Sequence, residues 1–314
     1  MRKASSQKPI ICLMGPTASG KTDLALALHR MGGVDLISVD SAMVYRGLNI
    51  GTAKPDAKTL AEAPHGLIDI RDPAQAYSAA EFAMDAQALI QSSHAANRVP
   101  VLVGGTLLYF RALLQGLSAL PSADTAYRAA LEAEAAQSGW PALHARLDQV
   151  DSVAAARLHP NDAQRIQRAL EVYHLTGKPL STLQTGVHEE PLPWYPVRVS
   201  VEPENRQRLH ARIEHRFNQM LKQGLVDEVL TLRKRGDLHR DLPAIRSVGY
   251  RQVWDWLDGK IAPDELSYRG VVATRQLARR QLTWLRREPD LKRLSADDAA
   301  VQEKLRDLLA DVIT

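Results

Sequence analysis

The stretch "GPTASGKT", Gly15 to Thr22, decides the fold. It satisfies the spacing G-x-x-x-x-G-K-[ST], in which Gly15 and Gly20 let successive backbone N–H groups converge on phosphate oxygens. Between them lie Pro16, Thr17, Ala18 and Ser19; Lys21 then adds a mobile positive charge, and the Thr22 hydroxyl can ligate Mg²⁺. The context agrees on both sides. The apolar run "PIICLMG" (9–15) reads as a strand ahead of the loop, and "KTDLALALHRMG" (21–32) as a helix behind it. That helix turns its positive dipole end to the anion. The loop predicts phosphate binding and leaves open what carries the phosphate.

Working outward, "DLISVDS" (35–41), "HGLIDI" (65–70) and "VPVLVGGT" (99–106) alternate with helical stretches such as "AAEFAMDAQALIQSSHAAN" (79–97). Nearly continuous apolar runs of this kind belong to parallel strands covered on both faces. The fold class is α/β: a P-loop NTPase-like parallel sheet wound with helices. A fifth run, "YPVRVSVE" (195–202), arrives late. Residues 118–194 read as a helical insertion domain, which leaves 1–117 and 195–314 as the core with its C-terminal helices. The Pro-rich "EEPLPWYP" (189–196) reads as the hinge. Beyond the fifth strand the chain is expected to be helical to its end. Leu209, Ile213, Phe217 and Met220 recur at helical spacing, with Gly224 as a stop. The segment opening at Pro263 predicts about seven helical turns.

Composition sets limits. Of 314 residues, 45% are hydrophobic and 24% charged, which excludes a disordered chain. No apolar run approaches the ~20 residues of a membrane span, and "IICLMG" is too short for a secretory core. The expected compartment is the cytoplasm. The single cysteine, Cys12, allows neither an internal disulfide nor a cysteine-built zinc module, and reads as a buried small hydrophobe. The net charge of +4 is small, so its placement matters more than its size. Residues 269–287 hold six arginines and no acidic residue. On a helix Arg275, Arg279 and Arg286 form one stripe, and Arg269, Arg280 and Arg287 a second about 100° away. No pattern signals an interface, so a monomer is the expectation.

Asp40 ends the second strand candidate, at the rim where wound sheets bind ligands. It fits three roles: a magnesium ligand, a general base, or the N-cap of "DSAMVYRG". The breakers Gly47, Gly51 and Pro55 argue for a loop shaped around a ligand. Gly104-Gly105-Thr106 reads equally as a tight turn or as a third element of the rim. These features also suit a small-molecule kinase with the insertion as its lid. An RNA-stimulated NTPase switch would need a further carboxylate after a later strand, and "VLVGGT" ends without one.

Six segments in order, "GPTASGKT", "DSAMVYRGLNIGTAKP", "VGGTLLY", "NDAQRIQRALEVY", "IRSVGYRQVW" and "ATRQLARRQLTWLR", closely resemble the tRNA dimethylallyltransferases, also called tRNA isopentenyltransferases, over about residues 9 to 288. The resemblance implies transfer of the dimethylallyl group of dimethylallyl pyrophosphate to the exocyclic amine of the adenine 3′ to the anticodon. Gly15 to Thr22 would then hold the diphosphate, with Mg²⁺ near Thr22. Asp40 would take the amine proton, and Arg216 in "HRF" would assist the diphosphate. Asp40, Ser41, Ala42, Met43, Thr106 and Arg128 would contact the flipped nucleotide and the anticodon loop of the tRNA. Gln164, Arg165, Ile166, Gln167 and Arg168 in the insertion would grip RNA, as would Ile245, Arg246, Ser247, Val248, Gly249 and Tyr250. Many relatives carry Gln where Met43 stands, and the zinc finger of longer eukaryotic relatives cannot be built with one cysteine. The chain resembles the short bacterial form.

Overall fold

Side chains enclosed on both faces of one parallel sheet organise the larger part of this chain, whose computed structural model describes residues 7–118, 120–184 and 192–313. Strand β1 (Lys8–Met14) lies at its centre, and Ile10 through Met14 are wholly enclosed. Alternation along the strand sends Ile10, Cys12 and Met14 into one core and Ile11 and Leu13 into the other. With β2 (Val34–Val39), β3 (His65–Gly66), β4 (Val99–Gly104), β5 (Trp194–Glu202) and β6 (Lys292–Ser295), the order is β3-β2-β4-β1-β5-β6, every pairing parallel.

Helices cover each face in the order the alternation demands. Between strands run α1 (Lys21–Arg30), α2 (Ala57–Glu62), α3 (Ala79–Ala95) and α4 (Leu107–Gln115). Helix α1 packs Leu24, Ala25 and Leu28 into the second core. Helix α3 starts from a Ser78–Glu81 capping box and sends Phe82, Ala86 and Ile90 into the first. Two compact units result, 1–114 with 192–314, and 115–191. In the second unit α5 (Thr125–Ser138), α6 (Trp140–Val150), α7 (Ser152–Ala155), α8 (Ala163–Thr176) and α9 (Leu180–Leu183) enclose a small core around Leu143, Leu147 and Ile166. After β5 the first unit adds α10 (Arg206–Lys222), α11 (Leu225–Arg233), α12 (Tyr250–Leu257), α13 (Leu266–Leu285) and, after β6, α14 (Val301–Ile313). Leu209, Ile213, Phe217 and Met220 are all buried along α10, as their spacing predicts. Among the described residues no helix is long and apolar enough to cross a membrane.

Three elements depart from expectation. The third strand stops at Gly66 instead of running to Ile70, because Leu67 and Asp69 take positive φ and turn the chain out of the ladder. The long C-terminal helix opens with a 3₁₀ turn, Pro263–Glu265, so its α part is one turn and more shorter than predicted. Most plainly, the chain is not helical to its end: "KRLS" adds β6 to the edge of the sheet beside β5. A four-residue edge strand with two basic residues has no apolar run to announce it. Residues 189–191 of the hinge reading lie outside the described residues.

The parallel order brings the carboxyl ends of β1, β2 and β4 side by side. The loops leaving those ends carry the phosphate loop, Asp40 and Thr106, which is how residues far apart in sequence come to share one rim.

Burial pushes the Cys12 thiol up to about 12, with Arg198 opposing. The thiolate is the reactive form. The native protein should therefore resist a thiol-specific disulfide reagent and react only as it unfolds, so that labelling tracks the denaturant transition. Rapid labelling without denaturant would contradict the enclosed centre of the sheet.

Candidate active site

The loop after β1 is built from crowding as much as from glycine flexibility. Gly15 does not take positive φ; a Cβ there would meet both the Ser19 hydroxyl and the Val201 carbonyl at 2.7 Å. The left-handed turn falls instead on Ala18 (φ 61°) and Gly20 (φ 83°), the latter being the N-cap of α1. Ser19 is buried and its hydroxyl has no partner among the described residues. Lys21 folds back to donate to the Pro16 carbonyl at 3.1 Å. Thr17, Ala18, Lys21 and Thr22 line a cleft of about 560 Å³.

Asp40 forms the second wall. Its Oδ1 accepts from the backbone N–H groups of Ala42 (2.8 Å) and Met43 (3.2 Å), holding the turn that follows β2. The helix N-cap weighed from sequence is not what forms, since no helix follows before α2 and these bonds brace a turn; among the described residues no bond engages Oδ2. Thr106 closes that wall: its hydroxyl oxygen accepts from Ser41 N–H at 3.1 Å. Gly104 and Gly105 line the same cleft.

Opposite stands α10. Arg216 lines the cleft and donates weakly to the Thr52 carbonyl at 3.5 Å, beside apolar Ile213, Phe217 and Met220. Desolvation pulls Lys21 down to about 8; Asp40 opposes that fall and Arg216 adds to it. The Arg216 guanidinium is likewise drawn below its ordinary value by burial, with Asp40 again opposing. Two desolvated cations thus share one carboxylate. Such a site favours a polyanion.

Of the positions expected at RNA, Ser41, Ala42, Met43, Arg246, Ser247 and Val248 line this cleft. Ile245 and Tyr250 do not; both side chains are fully buried. The Tyr250 hydroxyl donates to Glu228 at 2.5 Å and accepts from Gly51 N–H. Glu228 also accepts from the N–H groups of Asn49 and Ile50, so the pair pins the loop that carries Thr52. Tyr250 is thereby corrected from an RNA contact to an internal strut, and Ile245 to a core residue. Arg128 and Gln164 to Arg168 belong to the unit 115–191. There Ile166 is fully buried, again a core side chain, and Arg128 and Arg168 both pair with buried Glu171, at 2.7 and 2.5 Å. Arg165 is 72% exposed and pairs with Asp162. Glu228 and Gln281 went unseen in the sequence. Gln281 sits inside a quoted motif, but a neutral residue among arginines carries no charge signal.

With this geometry in view, comparison with known proteins gives a consistent result. The sequence model described as IPP transferase matches residues 43–288. The tRNA dimethylallyltransferase of Alkalilimnicola ehrlichii is 63% identical over 280 residues, covering 89% of this chain and 88% of that one. The tRNA dimethylallyltransferase 2 of Hahella chejuensis is 55% identical, covering 96% and 95%. Among solved structures, the tRNA isopentenylpyrophosphate transferase of Bacillus halodurans superposes with a TM-score of 0.71 at 35% identity, over 98% of this chain and 97% of that one. A eukaryotic dimethylallyltransferase shares the fold, with a TM-score of 0.78 at 24% identity, over 97% and 78%.

Because Lys21 in the free protein loses its proton as pH rises through about 8, anion binding should weaken over that range. Calorimetric titration with inorganic pyrophosphate from about pH 7 to about pH 9 should show affinity falling by up to about tenfold per pH unit at the upper end. The Lys21→Arg variant, cationic throughout, reports the ligand's own titration. Parallel profiles for the two proteins would remove Lys21 from the anion site.

Proposed function

The chain belongs to the IPP transferase family, the tRNA dimethylallyltransferases, and from that premise we propose how its residues divide the work. The reaction moves the dimethylallyl group of dimethylallyl pyrophosphate onto the N6 amine of the adenine 3′-adjacent to the anticodon of tRNA, releasing pyrophosphate. The observation that carries the assignment is the convergence of Lys21, Asp40 and Arg216 on one cleft at the carboxyl ends of the strands.

The chemistry sets the demands. An adenine amine is a feeble nucleophile, because its lone pair is delocalised into the ring. The C–O bond to the diphosphate must therefore weaken early, and the proton released from N6 needs an acceptor. The phosphate-loop N–H groups, Lys21 and Arg216 bind the diphosphate and stabilise the charge that grows on it as it departs. The apolar stretch Ile213, Phe217 and Met220 takes the five-carbon chain and keeps water from it. Asp40 holds its turn through Oδ1 and offers Oδ2 to the N6 proton. Thr106, by fixing Ser41, holds that turn still.

For magnesium, the donor set decides what fits. Among the described residues no cluster of three or more His, Cys, Asp or Glu could hold a metal by itself. Mg²⁺ commonly takes one or two protein oxygens and completes its shell with substrate phosphates and water. Thr22, lining the cleft beside Lys21, suits that arrangement. Bound there, the ion would add positive charge to the leaving diphosphate.

The adenine has to leave its stack to reach this cleft. Along α13 and just past its end, Arg279, Arg280, Arg286 and Arg287 are exposed and form no ion pair among the described residues, whereas Arg269 and Arg275 pair with Glu265 and Glu214. The four unpaired residues are our candidates for the RNA backbone, and the unit 115–191 for the anticodon loop.

The test is mass measurement of an unmodified tRNA after incubation with dimethylallyl pyrophosphate. Wild-type protein should add one C5H8 unit to the target adenine, and labelled ATP in its place should transfer no phosphoryl group. Asp40→Asn should lower turnover by about 10²–10⁴-fold while leaving tRNA affinity within about twofold. Full activity in that variant would take Asp40 out of the mechanism. Replacing Arg286 and Arg287 together with Ala should flatten the salt dependence of tRNA binding by about two units of slope. An unchanged slope would return those residues to plain solvation.

A further inference from the structure

Gln281 has no charge and no place in the chemistry above, yet its side chain links two of the loops at the rim. Its Oε1 accepts from the N–H of Thr17 in the phosphate loop at 2.9 Å. Its Nε2 donates to the carbonyl of Gly105 at 2.9 Å. The two backbone partners fix which end of the amide is which, since an N–H must meet oxygen and a carbonyl must meet N–H. The position is set by α13 itself. Ala278 and Leu285, three residues before and four after, are buried, which turns Gln281 toward the core side of the helix.

Gly105 is shaped to this contact. A Cβ at that position would stand 2.4 Å from the Gln281 amide nitrogen and 3.0 Å from the Gly15 carbonyl. The next residue, Thr106, accepts from Ser41 N–H, and Ser41 follows Asp40. A continuous route therefore runs from the diphosphate cradle through Gln281 to Gly105 and Thr106, and on to the turn that presents Asp40.

We propose that Gln281 is a positioning residue that sets the separation between the diphosphate cradle and the Asp40 turn. The inference rests on the functional reading given above. Transfer requires the allylic carbon to lie between the leaving oxygen and N6, with the proton acceptor in reach, and a misplacement of about 1 Å can cost about 10²-fold in rate. Loops on three different strands hold no such spacing without a cross-link. An amide is suited to the task, because it presents a donor and an acceptor from one rigid group and adds no charge beside the phosphates.

Two substitutions test this. Gln281→Met keeps the length and volume but removes donor and acceptor; Gln281→Asn keeps the amide and falls one methylene short. In both, kcat should drop by about 10- to 100-fold. KM for dimethylallyl pyrophosphate and the Kd for inorganic pyrophosphate should rise several-fold. Affinity for tRNA measured without donor, and the melting temperature, should stay close to wild type. That split between cradle and RNA is what a merely structural residue would not give. Gln281→Asn also keeps the proposal falsifiable should the apolar variant fold poorly. Wild-type kcat and pyrophosphate affinity in either folded variant would overturn the proposal, as would a loss of tRNA affinity in step with kcat. A wild-type protein that prenylates no tRNA yet shows the pyrophosphate effect at Gln281 would sink the reaction assignment and leave the link standing.

Discussion

The rim answers to one electrostatic constraint: two cations, Lys21 and Arg216, line a partly dehydrated cleft in which Asp40 is the one carboxylate among the described lining residues. Removing ammonium and guanidinium groups from water is costly, and the fall in Lys21's pKa records that cost. A fold keeps such an arrangement when the missing counter-charge arrives with the substrate. On the function proposed above a diphosphate would supply it, and because the departing diphosphate gains charge as the carbon–oxygen bond breaks, attraction would be strongest where the barrier is highest. The same cleft could not serve a neutral ligand well.

Holding that cleft open calls for rigid loops, and the molecule rigidifies them with half-buried polar groups that bond to backbone. Glu228 gathers the N–H groups of Asn49, Ile50 and Gly51 and the hydroxyl of Tyr250. Burial and the adjacent Glu228 carboxylate push the Tyr250 phenol up, so it stays a hydrogen-bond donor at any working pH. The loop so fixed carries Thr52, whose carbonyl meets Arg216. One carboxylate on α11 thus reaches the cleft only through backbone. Satisfied networks of this kind specify one geometry, and a half-satisfied one would be worse than an apolar contact.

Much of this was legible in the sequence, and the limits have physical causes. Strands β1, β2 and β4 announce themselves because burial on both faces makes them continuous apolar runs. The placement of the Gly15–Thr22 loop and of Asp40 at strand ends is legible because each directly follows one of those runs. Strand β6 is not, since pairing at a sheet edge needs backbone alone and four residues leave no period. Nor are Glu228 and Gln281. Each acts on main-chain groups far off in sequence, and a backbone N–H leaves no trace in the identity of the residue that owns it. Tyr250 shows the converse error: a residue inside a recognisable motif can be there to hold the motif's shape.

The distribution of charge constrains how RNA can be engaged. Residues 115–191 contain nine Asp and Glu against six Lys and Arg, so that unit is net acidic and the chain's +4 resides in the other. Most of its arginines are already answered: Arg128 and Arg168 by Glu171, Arg146 by Glu134 and Arg165 by Asp162. Net charge therefore gives this unit no bulk attraction to phosphate, whereas α13 and the two residues after it, with four exposed arginines that form no ion pair among the described residues, can provide it. What the smaller unit has is order. Burial alone would push the Glu171 carboxyl up, but the bonds from Arg128, Arg168 and the Asp124 N–H outweigh it and hold it below its ordinary range. A carboxylate kept ionised between two guanidiniums leaves one positive charge over and fixes both planes. Contacts to an anticodon loop through such groups would discriminate by geometry, with little dependence on salt, while α13 supplied the salt-dependent part. The division follows from where the carboxylates lie.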